Sequence, residues 1–325
     1  MTASATPAIP PRTRTQDSPL AALGLRVLGM FMLSAMFMLI RLASRHGVSV
    51  PEMLFWRQGM AVPIMLLWLA ARGEMSLLKT HRVPAHLGRA AVGTLGLLCN
   101  VGTATLLPLP VGTTLSFTSP IFAVLIAGLV LREKVGPWRW SAVLIGFAGV
   151  LLIARPGAEP IALAGLASGL GAGLIVATVS FQVRSLARTD SPIACVFWFS
   201  AFGAVVAAIA LPLYGQPHPW QVWLMLVGVG LAGTLAQFFI AAALSRGAVA
   251  TVVVMDYTSL IWATGFGVLV FGEWPPASIW LGAPLVIGAG LLITWREIVL
   301  AKAIAPTTSL DDAALEEAKA GPQPL

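Results

Sequence analysis

Residues 117–153 read FTSPIFAVLIAGLVLREKVGPWRWSAVLIGFAGVLLI, and residues 257–293 read YTSLIWATGFGVLVFGEWPPASIWLGAPLVIGAGLLI. At a fixed offset of 140 positions, eleven of the 37 residues are identical without a gap, among them Glu133 with Glu273 and a tryptophan in each copy. Shared apolar composition raises that number, but it does not account for matched glutamates and tryptophans. The chain therefore contains a duplicated segment, and the number of membrane spans between the copies decides how the copies are oriented.

The composition excludes an ordinary soluble domain. Of the 325 residues, 58% are hydrophobic and only 10% are charged, whereas soluble domains carry about 25% charged residues. The net charge of +7 would suggest nucleic acid as a partner of a soluble protein, but in a membrane protein Lys and Arg gather at the cytoplasmic ends of spans. The composition therefore predicts a polytopic protein that is embedded in a lipid bilayer and has no nucleic-acid partner.

Ten apolar runs approach the length of about 20 residues that crosses a bilayer. We number them spans 1 to 10 in chain order: 20–42, 51–71, 86–107, 111–131, 138–154, 160–183, 191–213, 220–243, 248–271 and 277–296. The first run is too long for the core of a signal peptide. We expect residues 1–19 to form a disordered cytoplasmic tail and residues 299–325 to form a second cytoplasmic tail.

The distribution of Lys and Arg predicts the orientation of these spans. With the N-terminus inside, sixteen of the twenty basic residues fall at the cytoplasmic side. Three fall outside, namely Arg41, Arg45 and Arg155, and Arg57 lies within a span. Both termini are therefore predicted to be cytoplasmic, and a basic, Arg-, Ala- and Gly-rich chain of this kind points to a bacterial inner (plasma) membrane.

Residues 20–155 and 156–298 each contain five predicted spans. Because five is an odd number, the second repeat is predicted to be inverted relative to the first. Inverted repeats are a recurrent plan of secondary transporters, in which a site near the middle of the bilayer opens first to one side and then to the other. The predicted fold is an all-α integral membrane protein of ten transmembrane helices, arranged as two inverted five-helix repeats.

The first copy, which continues as ARPG after residue 153, resembles the EamA-type branch of the drug/metabolite transporter superfamily. In that branch a Pro-containing span ends in a Glu and is followed by a Gly-rich span. The second copy is similar to the same pattern, with Leu260 in the place of Pro120, and the resemblance covers roughly residues 20–298. It implies a transporter of a small organic metabolite, such as an amino acid, a nucleotide-like compound or a vitamin. It also implies a central cavity lined largely by spans 1, 3, 4, 6, 8 and 9.

Asp256 is the most informative single residue. It lies about eight residues into span 9, or roughly 12 Å from the cytoplasmic edge, where a carboxylate costs at least ~2.5 kcal/mol. Two roles are open: a carboxylate that couples transport to protons or binds the substrate, and a structural ion pair with a neighbouring helix. Its counterpart in the first repeat is Ser116, so the charge breaks the symmetry of the repeats, and this asymmetry favours a role towards a ligand.

Arg57 is the other charge within a span, and burying it requires a partner. That partner could be Asp256, Glu52 or an anionic group of a substrate. Span 2 is not among the spans that the resemblance implies for the cavity, which favours a structural role.

Further polar residues in the spans complete the predicted site. The substrate-binding or coupling residues are predicted to be Asp256, Tyr257, Ser116, Thr118, Ser119, Asn100, Gln237 and Arg57. Because proline removes a helical hydrogen bond, Pro120 is predicted to form a hinge, with a packing kink as the alternative. Asn100 and Gln237 could equally join helices through hydrogen bonds.

Gly165, Gly169 and Gly173 recur every four residues in span 6, a spacing that allows close approach of another helix. The neighbour is expected within the chain or across a homodimer, so the protein is predicted to be a monomer or a homodimer.

The sequence favours a transporter over two alternatives. The histidines lie in or beside loops without the spacing of a metal site, so no metal is predicted, and no cofactor is expected. The chain lacks a phosphate-binding GxxxxGK[ST] motif, which argues against an ATP-driven pump. An integral-membrane enzyme would need clustered acid, base or metal groups. A channel would need a polar stripe or a symmetric filter, whereas the polar positions here are sparse and asymmetric.

Overall fold

The computed structural model describes residues 19–133, 135–154, 162–187, 189–246, 252, 254–296 and 299. Apart from residues 19 and 299, the two predicted tails lie outside the described residues. Within the described part of the chain the regular elements are helices, which confirms the all-α class. The α-helices are α1 Pro19–Arg45, α2 Val50–Gly59, α3 Ala61–Arg72, α4 Val83–Leu106, α5 Leu109–Ser116, α6 Ser119–Leu125, α7 Pro137–Ala154, α8 Leu163–Leu186, α9 Pro192–Tyr214, α10 Trp220–Leu244, α11 Thr258–Phe271 and α12 Ala277–Arg296.

Eight helical segments among the described residues are long and apolar enough to cross a membrane, and they confirm a protein with multiple membrane spans. They are Leu20–Arg45, Val50–Arg72, Leu109–Val130, Pro137–Ala154, Leu163–Leu186, Pro192–Tyr214, Trp220–Leu244 and Ala277–Arg296.

The predicted count of ten spans goes beyond these eight. Span 3 corresponds to α4, which has 24 residues but carries the polar side chains of His86, Arg89 and Asn100. Span 9 corresponds to the shorter apolar segment Met255–Phe271, and part of its predicted start lies outside the described residues. The count of ten therefore stays a prediction.

Span 2 consists of two helices that meet at Met60. Its first helix, α2, begins with a capping box: Ser49 Oγ accepts a hydrogen bond from the backbone amide of Glu52, and the Glu52 carboxylate accepts one from the backbone amide of Ser49. Such reciprocal bonds satisfy amides that have no partner in the first turn. The carboxylate of Glu52 is therefore used at the helix end and is not free to pair with Arg57.

Span 4 is interrupted between α5 and α6. Pro120 is the second residue of α6, and the buried Thr118 hydroxyl donates a 2.6 Å hydrogen bond to the carbonyl oxygen of Leu115. The second repeat has a similar interruption without a proline, because the 3₁₀ turn Met255–Tyr257 precedes α11. The helix break thus occurs in both repeats, while the hinge role of Pro120 stays a prediction.

The packing of the helices pairs elements from the two halves of the chain. Helix α1 packs along α10 and α11, and α8 packs along α4, α5 and α6. Helix α2 packs against α9, α10 packs against α2, and α4 packs against α9. Exchanging the two halves converts the contact of α2 with α9 into itself and each of the other contacts into another contact of the same set.

Helices α7 and α12 approach closely through small residues. A Cβ atom on Gly146 would lie 3.2 Å from the Cβ of Ala289, and a Cβ atom on Gly149 would lie 2.9 Å from Cγ2 of Val286. The repeat offset of 140 relates Gly146 to Val286 and Gly149 to Ala289. These two contacts therefore exchange when the repeats exchange, and they run in opposite directions along the two helices.

The glycines of span 6 make their close approach within the chain. A Cβ atom on Gly165 or Gly169 would lie 2.6 Å from a side-chain atom of Leu107 or Leu115, respectively, and one on Gly173 would overlap the hydroxyl of Thr118. These glycines therefore let α8 lie against α4, α5 and α6.

Candidate functional site

A cavity of about 740 Å³, its open mouth included, lies between α2, α3, α4, α9 and α10. Its walls are mainly apolar and include the rings of Phe199 and Phe238. The polar side chains that reach it are those of Arg57, Arg89, Ser200, Thr234 and Gln237. A mostly apolar cleft with a few convergent polar groups is the usual character of a small-molecule site. We call it the arginine cavity.

Arg57 is held in the arginine cavity by the amide of its neighbour. Its Nη1 donates a hydrogen bond to Oε1 of Gln58, and Nε2 of Gln58 donates a 3.3 Å hydrogen bond to the carbonyl oxygen of Phe199. Gln58 is fully buried, and a Cβ atom on Gly203 would overlap its amide. The small residue in α9 thus makes room for the amide that orients Arg57.

Arg89 approaches the same aromatic ring from α4. Its Cζ lies 4.3 Å from the centroid of Phe199, and the Cζ of Arg57 lies 5.9 Å from that centroid. A guanidinium group within about 6 Å of a ring is attracted to the face of the ring. Two cations of the cavity lining therefore lie near a single aromatic side chain.

A second, smaller cavity of about 270 Å³ lies between α1, α4 and α5. Two predicted site residues, Asn100 and Ser116, line it together with Phe37. Asn100 donates a 2.9 Å hydrogen bond to the carbonyl oxygen of Gly96, and Ser116 donates a 3.2 Å bond to that of Gly112. Both side chains bond to their own helices, a pattern that satisfies them locally.

Asp256 forms an ion pair with Arg26 of α1. Nη2 of Arg26 donates a 2.7 Å hydrogen bond to Oδ2, and Nε donates to Oδ1, so the contact is bidentate. Arg26 is 6% exposed, while the side chain of Asp256 keeps 29% of its surface accessible. Since Arg26 occupies both carboxylate oxygens, the pairing of Asp256 with Arg57 that the sequence left open is not formed.

The repeated glutamate of the second copy also binds arginine. Oε1 of Glu273 accepts hydrogen bonds from Nη2 of Arg41 at 2.9 Å and from Nη2 of Arg45 at 2.7 Å. Both guanidinium groups also lie over the ring of Phe271. The pairs of Arg26 and Arg41 connect the two ends of α1 to the same segment of the second repeat.

The remaining predicted residues lie at the breaks before α6 and α11. The ring of Tyr257 packs edge-on against Phe117, with centroids 4.8 Å apart. Thr118 is buried, and Ser119 is the first residue of α6. The eight predicted residues therefore occupy separate places: Arg57 and Gln237 the arginine cavity, Asn100 and Ser116 the smaller cavity, and the other four the Arg26 pair and the helix breaks.

Two histidines form buried pairs with carboxylates. Nε2 of His86 lies 2.6 Å from Oδ2 of Asp190, and Nε2 of His218 lies 3.0 Å from Oε1 of Glu52. Among the described residues, no group of three or more His, Cys, Asp or Glu side chains is placed to hold a metal ion. The pairs join the start of α4 to the start of α9 and the start of α10 to the start of α2.

Asp190→Asn is expected to lower the free energy of unfolding by about 1 kcal/mol at neutral pH. Hydrogen bonds from Thr80 and then His86 hold the pKa of Asp190 below its usual range. A carboxyl group with a lowered pKa contributes stability above its ordinary pKa of about 4, and this contribution is lost as the pH falls through the lowered value. Thermal unfolding of both proteins between pH 3 and 8 measures the difference, which should shrink below about pH 4. A constant difference across that range would contradict this assignment.

Sequence reasoning missed two residues that line the arginine cavity, Arg89 and Phe199, and it missed Gln58, which binds Arg57 from outside the lining. Arg89 was counted among the cytoplasmic charges that orient the chain, although it lies inside the apolar run 86–107. That position was a signal of a buried charge. The lining from α2, α3, α4, α9 and α10 also differs from the spans that the resemblance implied, because Gln58 and the glycines around it draw α2 against α9 and α10.

The described residues define an all-helical protein with multiple membrane spans and an apolar cavity that a few polar side chains reach. The family model for the EamA-like transporter family matches residues 20–155 and 163–295. The chain therefore belongs to the EamA-like transporter family, within the drug/metabolite transporter superfamily, which confirms the predicted resemblance.

Relatives with assigned names are transporters. The chain is 35% identical to a riboflavin transporter of Vibrio cholerae over 235 residues, which are 70% of this chain and 77% of the relative. It is 27% identical to a pseudopaline exporter of Pseudomonas aeruginosa, with 83% of this chain and 94% of the relative covered. A solved crystal structure at 20% identity matches with a TM-score of 0.57, covering 87% of this chain and 99% of that chain, and supports the fold alone. Membership of this family and the names of these relatives thus support a transporter of a small molecule across a membrane.

Proposed function

We propose that this protein is a secondary transporter that moves a small organic metabolite across a bacterial inner membrane by alternating access. Residues 20–155 and 156–298 are its two five-helix repeats, the second inverted, and both tails are cytoplasmic. The observation that carries the proposal is the arginine cavity, which lies between helices of both repeats in a chain of a transporter family.

The contacts of α7 with α12 support the inversion. The pair Gly146 with Ala289 and the pair Gly149 with Val286 are related by exchange of the repeats, and their order is opposite along the two helices. A rotation that exchanges two antiparallel helices in this way has its axis perpendicular to them. Because the helices cross the bilayer, that axis lies in the membrane plane, as in transporters with inverted repeats.

The same exchange provides the mechanism. Each half of the chain can adopt the conformation of the other, so contacts that close one side of the arginine cavity can be exchanged for their counterparts on the other side. The cavity residues come from helices that take part in this exchange, namely α2 with α9 and α4 with α10. The cargo would then bind once and be released on the opposite side without crossing an open pore.

Riboflavin is the first cargo to test within the wider class of amino acids, nucleotide-like compounds and vitamins. The V. cholerae relative carries that name, and the cavity offers aromatic walls from Phe199 and Phe238 together with hydrogen-bonding groups from Arg57, Arg89 and Gln237. Planar heteroaromatic rings pack well against aromatic side chains, and ring carbonyl groups accept hydrogen bonds from guanidinium groups.

Proton coupling through Asp256 is a further part of the proposal. A carboxylate with both oxygens bound to Arg26 loses that pairing when it is protonated. Coupling therefore requires that the pair opens during the transport cycle, and the partial exposure of Asp256 supports access for a proton.

Purified protein in liposomes is expected to take up riboflavin, or another compound of a metabolite panel, with a rate that saturates as the concentration rises. If coupling operates, an imposed pH gradient will drive accumulation above the external concentration. Uptake is followed by flavin fluorescence or by radiolabelled compounds.

The same experiment separates the alternatives. A current that grows linearly with voltage and does not saturate would replace the transporter with a channel. A chemically altered product in the liposomes would indicate an enzyme, and the absence of uptake across the panel would contradict the proposed function.

A further inference from the structure

Four arginines of the spans have buried guanidinium nitrogens, and they fall into two groups. Arg26 and Arg41 each bind a carboxylate of the second repeat. Arg57 and Arg89 have no carboxylate partner within the described part of the chain, although both line one cavity and lie near the same aromatic ring. Leaving a buried charge without a counter-ion is strongly unfavourable, so this difference within one protein requires an explanation.

Donor atoms of both arginines are unused. Nε of Arg57 and both Nε and Nη1 of Arg89 are buried and lack hydrogen-bond partners among the described residues. A guanidinium group presents its donors in a planar fork that matches a carboxylate or a phosphate. The two side chains therefore offer an incomplete anion site with its donors already in place.

The surroundings of the two arginines do not provide the missing charge. The described residues that line the cavity include no aspartate or glutamate. Asp190 lies two residues before the lining residue Pro192. Its carboxylate already binds Thr80 and His86. Within the described part of the chain no carboxylate is placed to supply the counter-charge, which leaves a place for an anion that a ligand brings.

We propose that the cargo is an organic anion whose carboxylate or phosphate group binds between Arg57 and Arg89, while its ring packs against Phe199 and Phe238. This inference rests on the proposed transport function and specifies the substrate class of the same cavity. Binding of the anion supplies the absent counter-charge and relieves the repulsion between two like charges. The empty and the loaded protein then differ in the net charge of the cavity. The cargo can therefore shift the equilibrium between two conformations that bind it with different affinity.

Two matched pairs of ligands test the charge requirement with the protein in lipid nanodiscs. Riboflavin 5′-phosphate is compared with riboflavin, and indole-3-acetate is compared with indole-3-acetamide, by fluorescence titration. In each pair the anion should bind about 10- to 100-fold more tightly, which is the range that charge-assisted hydrogen bonds confer. The preference should fall as the salt concentration rises.

Variants link the preference to the two arginines. Arg57→Gln and Arg89→Gln should each remove most of the preference for the anion, and Arg57→Lys should retain part of it, because the charge remains but the fork is lost. Arg72→Gln is the matched control, since Arg72 is exposed at the end of α3 and binds Glu74. It should leave the preference unchanged.

Stability without ligand separates anion binding from a structural role. Removing an unpaired cation should leave the melting temperature of the empty protein unchanged or higher, whereas loss of a structural arginine would lower it. Equal binding of the two members of each pair, unaffected by the arginine variants, would overturn the anion proposal while the transport function stands. Absence of uptake for all compounds in liposomes would instead remove the transport function itself.

Discussion

Asp256→Asn is expected to lower the free energy of unfolding by about 3 kcal/mol, because it leaves the guanidinium group of Arg26 buried without an anion. Arg26 is 6% exposed, so water cannot replace the lost carboxylate fully. The effect lies at the lower end of the range for buried pairs, since Asp256 itself keeps 29% of its side chain accessible. Thermal or denaturant unfolding of the purified protein in a mild detergent measures the change.

The double variant Arg26→Gln/Asp256→Asn separates stability from coupling. It removes both charges together, and replacing a whole ion pair costs much less than breaking it, so most of the lost stability should return. If the double variant also regains transport driven by a pH gradient, Asp256 is structural. If it is stable and transports without response to the gradient, Asp256 is the coupling carboxylate. A single variant as stable as the wild type would contradict the importance of the pair.

The class of protein could be predicted from the sequence, while its charge pairs could not. The hydropathy pattern and the repeated segment depend only on the type and order of the residues. They predicted a membrane transporter family, and the family match confirms it. The pairing of Arg26 with Asp256 joins positions 230 residues apart. It depends on how two helices are rotated about their axes, which the pattern of apolar residues in a uniformly hydrophobic helix does not specify.

The candidate site shows the same limit. Asp256 was singled out because a carboxylate in a span is costly, and the same argument applied to Arg57 predicted that it needs a partner. Neither Glu52 nor Asp256 provides that partner, since Ser49 and His218 bind the first and Arg26 binds the second. The counterpart cation in the cavity, Arg89, escaped notice because a basic residue near a span end also fits the rule that orients membrane proteins.

Repeat symmetry was visible in the sequence, but the places where it fails required the structure. The offset of 140 relates Asp256 to Ser116 and Arg26 to Leu166, so the pair that joins α1 to the second repeat has no charged counterpart on α8. Two halves with similar backbones therefore carry different electrostatic contacts. In the proposed transport cycle, asymmetric contacts of this kind would give the states open to the two sides different energies.

Gly149→Val is expected to lower the free energy of unfolding by about 3 kcal/mol or more, because α7 and α12 leave no room for a side chain. A Cβ atom at this position would lie 2.8 Å from the carbonyl oxygen of Gly282 and 2.9 Å from the Cβ of Leu285. The first of these is a backbone atom, which cannot move aside by a rotamer change. Size-exclusion chromatography after detergent extraction, followed by thermal unfolding, measures the folded fraction and the loss of stability.

Gly288→Val is the matched control for this change. It introduces the same side chain into α12, where a Cβ atom on Gly288 has nothing within 4 Å, and it should change stability by less than about 1 kcal/mol, the range of helix propensities. The repeat counterparts of Gly149 and Gly282 are Ala289 and Ala142, so the exchanged contact already carries two methyl groups. The two helices are therefore in close contact at Gly149 and Gly282, and a valine at Gly149 should cost more than one at Ala142. Equal losses of stability for Gly149→Val and Gly288→Val would contradict the close packing of α7 against α12 at Gly149.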